Sequence, residues 1–559
     1  MTILIDRDVP VPMRDGTVLR ADIVRDGQAG QTPALLLRTP YLKEGAFGSV
    51  FEPFDAVARG YAVVIQDCRG TGESDGELHP FLQEVDDGYD TVEWCAAQEW
   101  CDGRVGMYGM SYMGATPWLA AIAAPPALAA IATFMTGSDF LEGWTYEGGA
   151  FHLGFNTGWV AANLSLRVLE RSGIDRAEYE QREASAMGAL ARLRATGSYT
   201  PLDQLPLYRE VAPAPYYFDW LARPDRDEEW EAVNIAAQAG NVHVPALGVG
   251  GWYDLFASGP PQTFNAVRER GATAAAREGQ RLLMGPWNHS LPALRTVGAV
   301  DFGPEATVDL AERTLRWFDW RILGREPSDE LVAPVRYFTM GPNTWQEADT
   351  WPPPDAALTS FFLRGDGAAN GAGGDGRLDR EPGGDEPPDE FLFHPLRPVP
   401  TVGGGGRVDG AFDQRRVEDR QDVLVYDSPP LADPLEVSGP LSVELHVASS
   451  APSTDFTAKL VEVAPDGFAR NLGDGIVRAP FEPGVVRSVT LDLRNTSNEF
   501  AAGSRIRLEV SSSNFPRFDR NPNTGEAPAS ATRFVPAHQY VHHSAAHPSR
   551  LILPVVTTV

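Results

Sequence analysis

A chain of 559 residues has room for about three domains of roughly 100–200 residues each. Apolar residues make up 43% and charged residues 22%, ordinary globular usage that excludes a disordered or fibrous chain. Against 76 Asp and Glu stand 47 Lys and Arg; the net charge of −29 repels phosphate backbones and anionic lipid, so neither nucleic acid nor a membrane surface is an expected partner.

Residues 1–143 alternate strand-like and helix-like segments. The runs 34–37 and 61–65 are apolar, the second ending in Gln66-Asp67-Cys68-Arg69-Gly70. Segment 84–97 places Val85, Tyr89, Val92, Trp94 and Cys95 at roughly helical intervals; 104–108 reads as a third strand and 112–123 as a helix of small residues. Buried apolar strands alternating with helices are what a parallel sheet covered on both faces requires. Over 144–240 strand signals fade, and helix-like stretches at 176–194 and 228–237 stand among many aromatics. The α/β pattern resumes over 241–350, with strands at 246–250 and 281–284, a helix at 261–270 and an amphipathic helix at 308–323. The expectation is one α/β domain, 1–143 with 241–350, interrupted by a helical insertion at 144–240. From 351 to 559, period-two runs such as 443–447 and 505–510 between Pro- and Gly-rich turns predict an all-β sandwich. Segment 364–390, rich in Gly, Asp and Pro, reads as a long, poorly ordered surface loop.

Strand 104–108 runs into Gly109-Met110-Ser111-Tyr112-Met113-Gly114 and then a helix. A serine at a tight strand-to-helix turn is a nucleophile elbow. Its Oγ stands above the carboxyl end of the sheet, and the next backbone N–H, that of Tyr112, points where an oxyanion would form. The usual spacing is Gly-x-Ser-x-Gly; here Met113 takes the last glycine's place and Gly114 follows it, so an ordinary βα turn fits the hexapeptide equally well. A serine hydroxyl needs a base and an orienter. Asp254 follows the strand at 246–250 and His289 the strand at 281–284, both at the edge where open α/β sheets bind ligands. Taken singly, such an aspartate is more often a turn or capping residue and such a histidine a satisfied core or surface residue. Together, the order Ser111, Asp254, His289 is that of α/β-hydrolases, and of the ten histidines only His289 joins the pattern.

The sequence resembles the cocaine esterase / X-Pro dipeptidyl-peptidase (CocE/NonD) family of serine hydrolases over essentially its whole length. Besides the segments above, the stretches that carry the likeness are Arg38-Thr39-Pro40-Tyr41, Trp100-Cys101-Asp102-Gly103-Arg104, Gly251-Trp252-Tyr253-Asp254, Gly285-Pro286-Trp287-Asn288-His289-Ser290, Thr454-Asp455-Phe456-Thr457-Ala458-Lys459-Leu460 and Val510-Ser511-Ser512-Ser513-Asn514-Phe515-Pro516. The displaced glycine at 114 is the family's normal form. The resemblance implies an α/β-hydrolase domain, an inserted helical cap and a C-terminal β-sandwich of jelly-roll type. It implies Ser111 as nucleophile, His289 as general base and then acid, Asp254 as orienter, and the Tyr41 phenol as oxyanion donor beside the Tyr112 N–H. Read without the family, Tyr41 is a packed aromatic after a strand. The resemblance also implies Trp144 and Phe256 as acyl-pocket residues, although both fit cap-to-domain packing. Around Gly403-Gly404-Gly405-Gly406-Arg407 the chain is shorter than cocaine-esterase-like members, which place apolar pocket residues there.

Other chemistries lack their residues. With two lysines, Lys43 and Lys459, and no Gly-Lys pair, there is no P-loop and little room for lysine-based covalent chemistry. Cys68, Cys95 and Cys101 form no Cys-x-x-Cys pair. His538, His542, His543 and His547 sit in a Pro- and Ser-rich connection before a last strand at 551–555, a poor frame for zinc, so neither metal nor cofactor is expected. No apolar run spans a bilayer and the N-terminus lacks a signal-peptide pattern, so the expected location is cytoplasmic. The function expected is hydrolysis of a small-molecule carboxylic ester through an acyl-enzyme. The alternative in the same chemistry is an X-Pro dipeptidyl-peptidase or other amide hydrolase, for which Glu142 and Glu147 are the nearby acids able to anchor an amino terminus. A non-catalytic, ligand-binding β-sandwich protein is the alternative from another class. A homodimer is allowed, but sequence sets no oligomeric state.

Overall fold

The computed structural model describes the whole chain except residues 198, 200, 291–292, 406–408 and 558–559. In chain order the first part comprises strands β1 (Ile3–Pro12), β2 (Val18–Asp26) and β3 (Thr32–Thr39), short helices α1 (Lys43–Ala46) and α2 (Pro53–Ala58), then β4 (Ala62–Asp67), α3 (Glu84–Ala96), β5 (Cys101–Met110), α4 (Tyr112–Ala123) and β6 (Leu128–Phe134). A ribbon, β7 (Tyr146–Glu147) with β8 (Ala150–Phe151), opens the insertion. Its helices are α5 (Leu153–Trp159), α6 (Leu166–Glu170), α7 (Arg176–Thr196), α8 (Pro215–Ala222) and α9 (Glu228–Ala232). The α/β pattern returns with β9 (Ala246–Tyr253), α10 (Gly259–Arg270), α11 (Ala274–Glu278), β10 (Arg281–Asn288), the ribbon β11 (Thr296–Val297) and β12 (Val300–Asp301), α12 (Leu310–Arg321), β13 (Val335–Thr339) and β14 (Thr344–Ala348).

Among the described residues one ten-stranded sheet runs in the order β1-β2-β4-β3-β5-β6-β9-β10-β13-β14. Strands from β4 to β13 along that order are parallel neighbours, and antiparallel strands close both edges. Period two along each strand divides the core. Leu36, Val64 and Met107 face one side and pack with Val92, Cys95 and Leu119 of α3 and α4. Leu35, Leu37, Val63 and Ile65 face the other and pack with Val57 of α2 and Leu315, Trp317 and Phe318 of α12. The β1–β2 hairpin carries no apolar run that would announce it, because β1 is an outer strand with charged, exposed positions and a bulge between Asp6 and Val9.

Three sequence expectations need correction, the third among the C-terminal histidines. The helix expected at 228–237 stops at Ala232, and a separate 3-10 turn occupies Ala237–Asn241. The Asn234 side chain accepts the Ala237 N–H (3.0 Å), a local bond that competes with helix continuation. Segment 364–390 is not a poorly ordered loop. The C-terminal domain holds β15 (Ala356–Arg364), β16 (Arg377–Asp379) and β17 (Asp389–Phe393), and β16 pairs with β15 inside this segment. Polar anchors replace the missing apolar content. Asp389 accepts from the Ala369 N–H (2.9 Å) and the Tyr426 hydroxyl (2.8 Å), and Asp375 accepts from the Asp366 and Ala368 N–H groups.

The remaining strands are β18 (Leu424–Asp427), β19 (Leu435–Ser449), β20 (Ser453–Val463), β21 (Ala469–Pro480), β22 (Arg487–Phe500), β23 (Arg505–Ser511), β24 (Ala537–His542) and β25 (Arg550–Val556). With β15–β17 they make a strand-rich domain whose main path is β17-β24-β19-β25-β15-β16-β18-β23-β20-β21, with β22 on β19. His538 and His542 therefore lie in a strand rather than a connection. His543 is buried between Asp389 (2.9 Å) and Glu386 (3.1 Å). This domain packs against both other parts: the Tyr253 hydroxyl donates to the Asn471 carbonyl (3.0 Å), and the Phe151 N–H to Asp519 (2.9 Å).

Candidate active site

Strand β5 ends at Met110 and α4 begins at Tyr112, so Ser111 alone makes the turn, at φ 61° and ψ −125°. That left-handed conformation is rare for a residue with a side chain and recurs where function holds it. The turn is sealed by the Ser111 N–H on the Phe134 carbonyl (2.9 Å). A Cβ on Gly109 would lie 2.1 Å from the Met113 carbonyl oxygen, which explains the first glycine. A Cβ at position 114 would lie 2.9 Å from Gly109 O and 3.0 Å from Phe134 O. The close approach thus falls at 114 rather than 113, and Met113 packs outward against the α2–α12 side.

His289 leaves the end of β10, and Asp254 the end of the neighbouring β9. Imidazole Nε2 lies 3.0 Å from Ser111 Oγ, and Nδ1 lies 2.9 Å from Asp254 Oδ1. Asp254 is buried, and its Oδ1 also accepts the Phe256 N–H (3.0 Å). Burial works to lower the His289 pKa, but the Asp254 charge and hydrogen bond, with Asp409 adding to them, leave it above the ordinary histidine value.

Tyr41 follows β3, at the same sheet edge as the turn after β5. Its hydroxyl oxygen accepts from the indole N–H of Trp159 (2.9 Å). Burial pushes the phenol pKa far up, so the group stays a neutral donor. The Tyr112 N–H, at the first position of α4, has no acceptor within its own helix. The Tyr112 side chain is locked: its hydroxyl donates to Glu84 (3.1 Å) and accepts the Phe81 N–H (3.0 Å), while Glu84 is paired with Arg38 at 2.5 Å. Arg38 and Glu84 are fully buried.

Trp144 and Phe256 stack at 4.1 Å between centroids, and Phe256 meets the His289 ring edge-on at 5.4 Å. Trp159 and Phe155 extend this aromatic wall from the insertion. Glu142 and Glu147 line, with Phe256, a cleft of about 220 Å³ whose lining includes none of Ser111, Asp254 and His289. Burial pushes the Glu142 carboxyl up to about 7. Glu147 is tied to Arg494, to Arg517 (3.4 Å) and to His152 (3.2 Å); burial would raise its pKa, but the two arginines outweigh that and hold it low. Of the stretch at 403–407, Gly406 and Arg407 lie outside the described residues. A Cβ on Gly405 would lie 2.9 Å from Leu255 Cα, so that position has no room for a pocket side chain. No group of three or more His, Cys, Asp or Glu among the described residues could hold a metal ion. No helix among them is long and apolar enough to cross a membrane.

Sequence reasoning missed Trp159, the Arg38–Glu84 pair and Asp409. Arg38 had a faint signal, a charge closing a fully apolar strand. Trp159 and Asp409 had none, being far in sequence from what they touch.

A parallel sheet covered on both faces, with a strained serine at a strand-to-helix turn and an imidazole within hydrogen-bond reach, is the arrangement of α/β-hydrolase-type serine hydrolases. Residues 15–291 match the X-Pro dipeptidyl-peptidase (S15 family) domain, and residues 330–552 the X-Pro dipeptidyl-peptidase C-terminal non-catalytic domain. The chain is 39% identical to the cocaine esterase of a Rhodococcus species, over 98% of each chain. Among solved structures it is similar to an α-amino acid ester hydrolase (25% identity, TM-score 0.78, 99% of this chain and 96% of that one). An aminopeptidase from a marine-sediment Thaumarchaeota archaeon shares the fold (24% identity, TM-score 0.81, 100% and 97% coverage). The chain belongs to the cocaine esterase / X-Pro dipeptidyl-peptidase (S15) family of serine hydrolases.

Proposed function

We propose that this enzyme hydrolyses small carboxylic esters through an acyl-enzyme formed on Ser111. The observation that carries the reading is the unbroken chain from Ser111 Oγ through both nitrogens of His289 to Asp254, at 3.0 and 2.9 Å. Nε2 takes the hydroxyl proton as Oγ attacks the acyl carbon, then delivers it to the leaving alcohol. Asp254 keeps the Nδ1 proton in place and stabilises the imidazolium. The developing oxyanion sits between the Tyr41 O–H and the Tyr112 N–H, donors fixed before the reaction starts. Water, deprotonated by the same imidazole, releases the acid.

The aromatic wall of Trp144, Phe256, Phe155 and Trp159 suits an uncharged, ring-bearing acyl group. In this reading the helical insertion is a cap over that pocket and the strand-rich domain a jelly-roll that closes its third side. The name of the Rhodococcus relative supports ester chemistry. The family's X-Pro peptidase description supports the amide alternative, but Glu142 and Glu147 line a cleft that includes none of Ser111, Asp254 and His289, and Glu147 is occupied by arginines. Ester hydrolysis is therefore preferred.

The test is Ser111→Ala together with labelling by a serine-directed fluorophosphonate. Label confined to the peptide containing Ser111, and a turnover loss of about 10⁶-fold in the variant, are expected. Wild-type turnover in the variant would overturn the mechanism. An X-Pro amide and an ester with the same leaving group, assayed side by side, separate the two substrate classes.

A further inference from the structure

We infer that Asp409, carried by the strand-rich C-terminal domain, is a positioning residue for His289. The inference rests on the triad proposed above. Strand β10 ends at Asn288, so His289 is the first residue beyond the ladder. Its backbone N–H donates to Asp409 Oδ2 (3.1 Å). The Asn288 side chain donates to Asp409 Oδ1 (3.2 Å) and reaches the Asp409 carbonyl (3.4 Å). Asp409 is itself only 8% exposed. Its loop is held on both sides: Gly404 and Gly410 exchange two backbone hydrogen bonds of 2.9 Å, and the Ala411 carbonyl accepts the Ala299 N–H (2.8 Å).

Two donors converging on two oxygens require a side chain that accepts twice and donates nowhere. A carboxylate does this; an amide must turn its own N–H₂ toward one of the donors. The charge matters as well. Asp409 faces Asp254 and His289 at the ends of β9 and β10. Arg494 of β22 donates to the Asp254 carbonyl (3.2 Å) from the other side. Burial first, and then the Asp254 charge, push the Asp409 carboxyl up to about 6, against the pull of His289. Above that pH its negative charge adds to that of Asp254 in favouring the imidazolium. The domain described for the family as non-catalytic thus reaches the residue that moves the proton.

The experiment compares wild type, Asp409→Asn and Asn288→Ala on a small activated ester across pH 5–9. In D409N, kcat should fall by about 10–100-fold, the cost of a misplaced imidazole, with KM little changed, as for a group that acts through His289. The acid limb of kcat/KM should move to lower pH, since removing a negative charge lowers the His289 pKa. Combining N288A with D409N removes the donor that clashes with the amide and should restore part of kcat. Wild-type kcat and an unmoved acid limb in a folded D409N would overturn the inference. If D409N does not fold, N288A alone carries the test: lower kcat at constant KM supports it, and wild-type kcat overturns it. Ser111→Ala separates the two readings. Turnover surviving in S111A removes the triad itself, whereas a dead S111A beside a fully active D409N removes only the role of Asp409.

Discussion

The Tyr41 oxygen accepts from the Trp159 indole N–H, which leaves its one hydroxyl proton for the proposed oxyanion. Tyr41→Phe keeps the ring and removes the donor. Its kcat should fall by about 10²–10³-fold with KM little changed, read in steady-state kinetics on a chromogenic ester. A fall in affinity at constant kcat would instead assign Tyr41 to ground-state binding. The variant also strands the buried Trp159 N–H, at a cost of about 1–3 kcal/mol in stability. A melting curve therefore has to accompany the kinetics.

The element that matters most is the β5–α4 turn. Met113 carries its side chain to one side, and Gly109 and Gly114 admit the backbone on the other. Gly109→Ala would set a Cβ against a main-chain carbonyl that has no side-chain freedom to retreat. Overpacking of that kind costs about 1–3 kcal/mol, and a shift of Ser111 by even 1 Å costs about 10² in rate. Loss of both stability and turnover is expected in G109A, checked by melting and by fluorophosphonate labelling rate. A variant that labels at the wild-type rate would show the turn to be more yielding than its distances imply. The same element explains what was legible locally. An apolar strand, a serine and a small-residue helix are visible as a string; the displaced glycine makes physical sense only once the Gly109 and Phe134 carbonyls are seen beside position 114.

At the scale of the whole molecule the insertion and the C-terminal domain are bound to each other as well as to the sheet. Gly148, at φ 53°, brings its carbonyl to the Arg478 N–H (2.7 Å), and a Cβ there would stand 2.0 Å from the Ile476 carbonyl oxygen. Gly148→Ala should therefore loosen this junction, lowering stability by about 1–3 kcal/mol. Calorimetry of the intact protein would register it as an earlier first transition, and an unchanged thermogram would contradict the tight junction.

The sequence by itself determined most of the elements: apolar runs alternating with helical periods, then period two, are local consequences of which faces must be buried. It also ordered the serine, aspartate and imidazole along the chain, each after an apolar strand. It misread segment 364–390, where buried carboxylates such as Asp389 rather than apolar side chains hold the backbone, because composition does not record who accepts a hydrogen bond from whom. Only the tertiary structure decided the contacts: Nε2 at 3.0 Å from Ser111, Trp159 on Tyr41, Arg38 on Glu84, and Asp409 on the main chain of His289, a residue 120 positions earlier. Such pairs share no period and no motif, because the geometry of a site is set by how separate elements pack, and packing is a property of the folded chain.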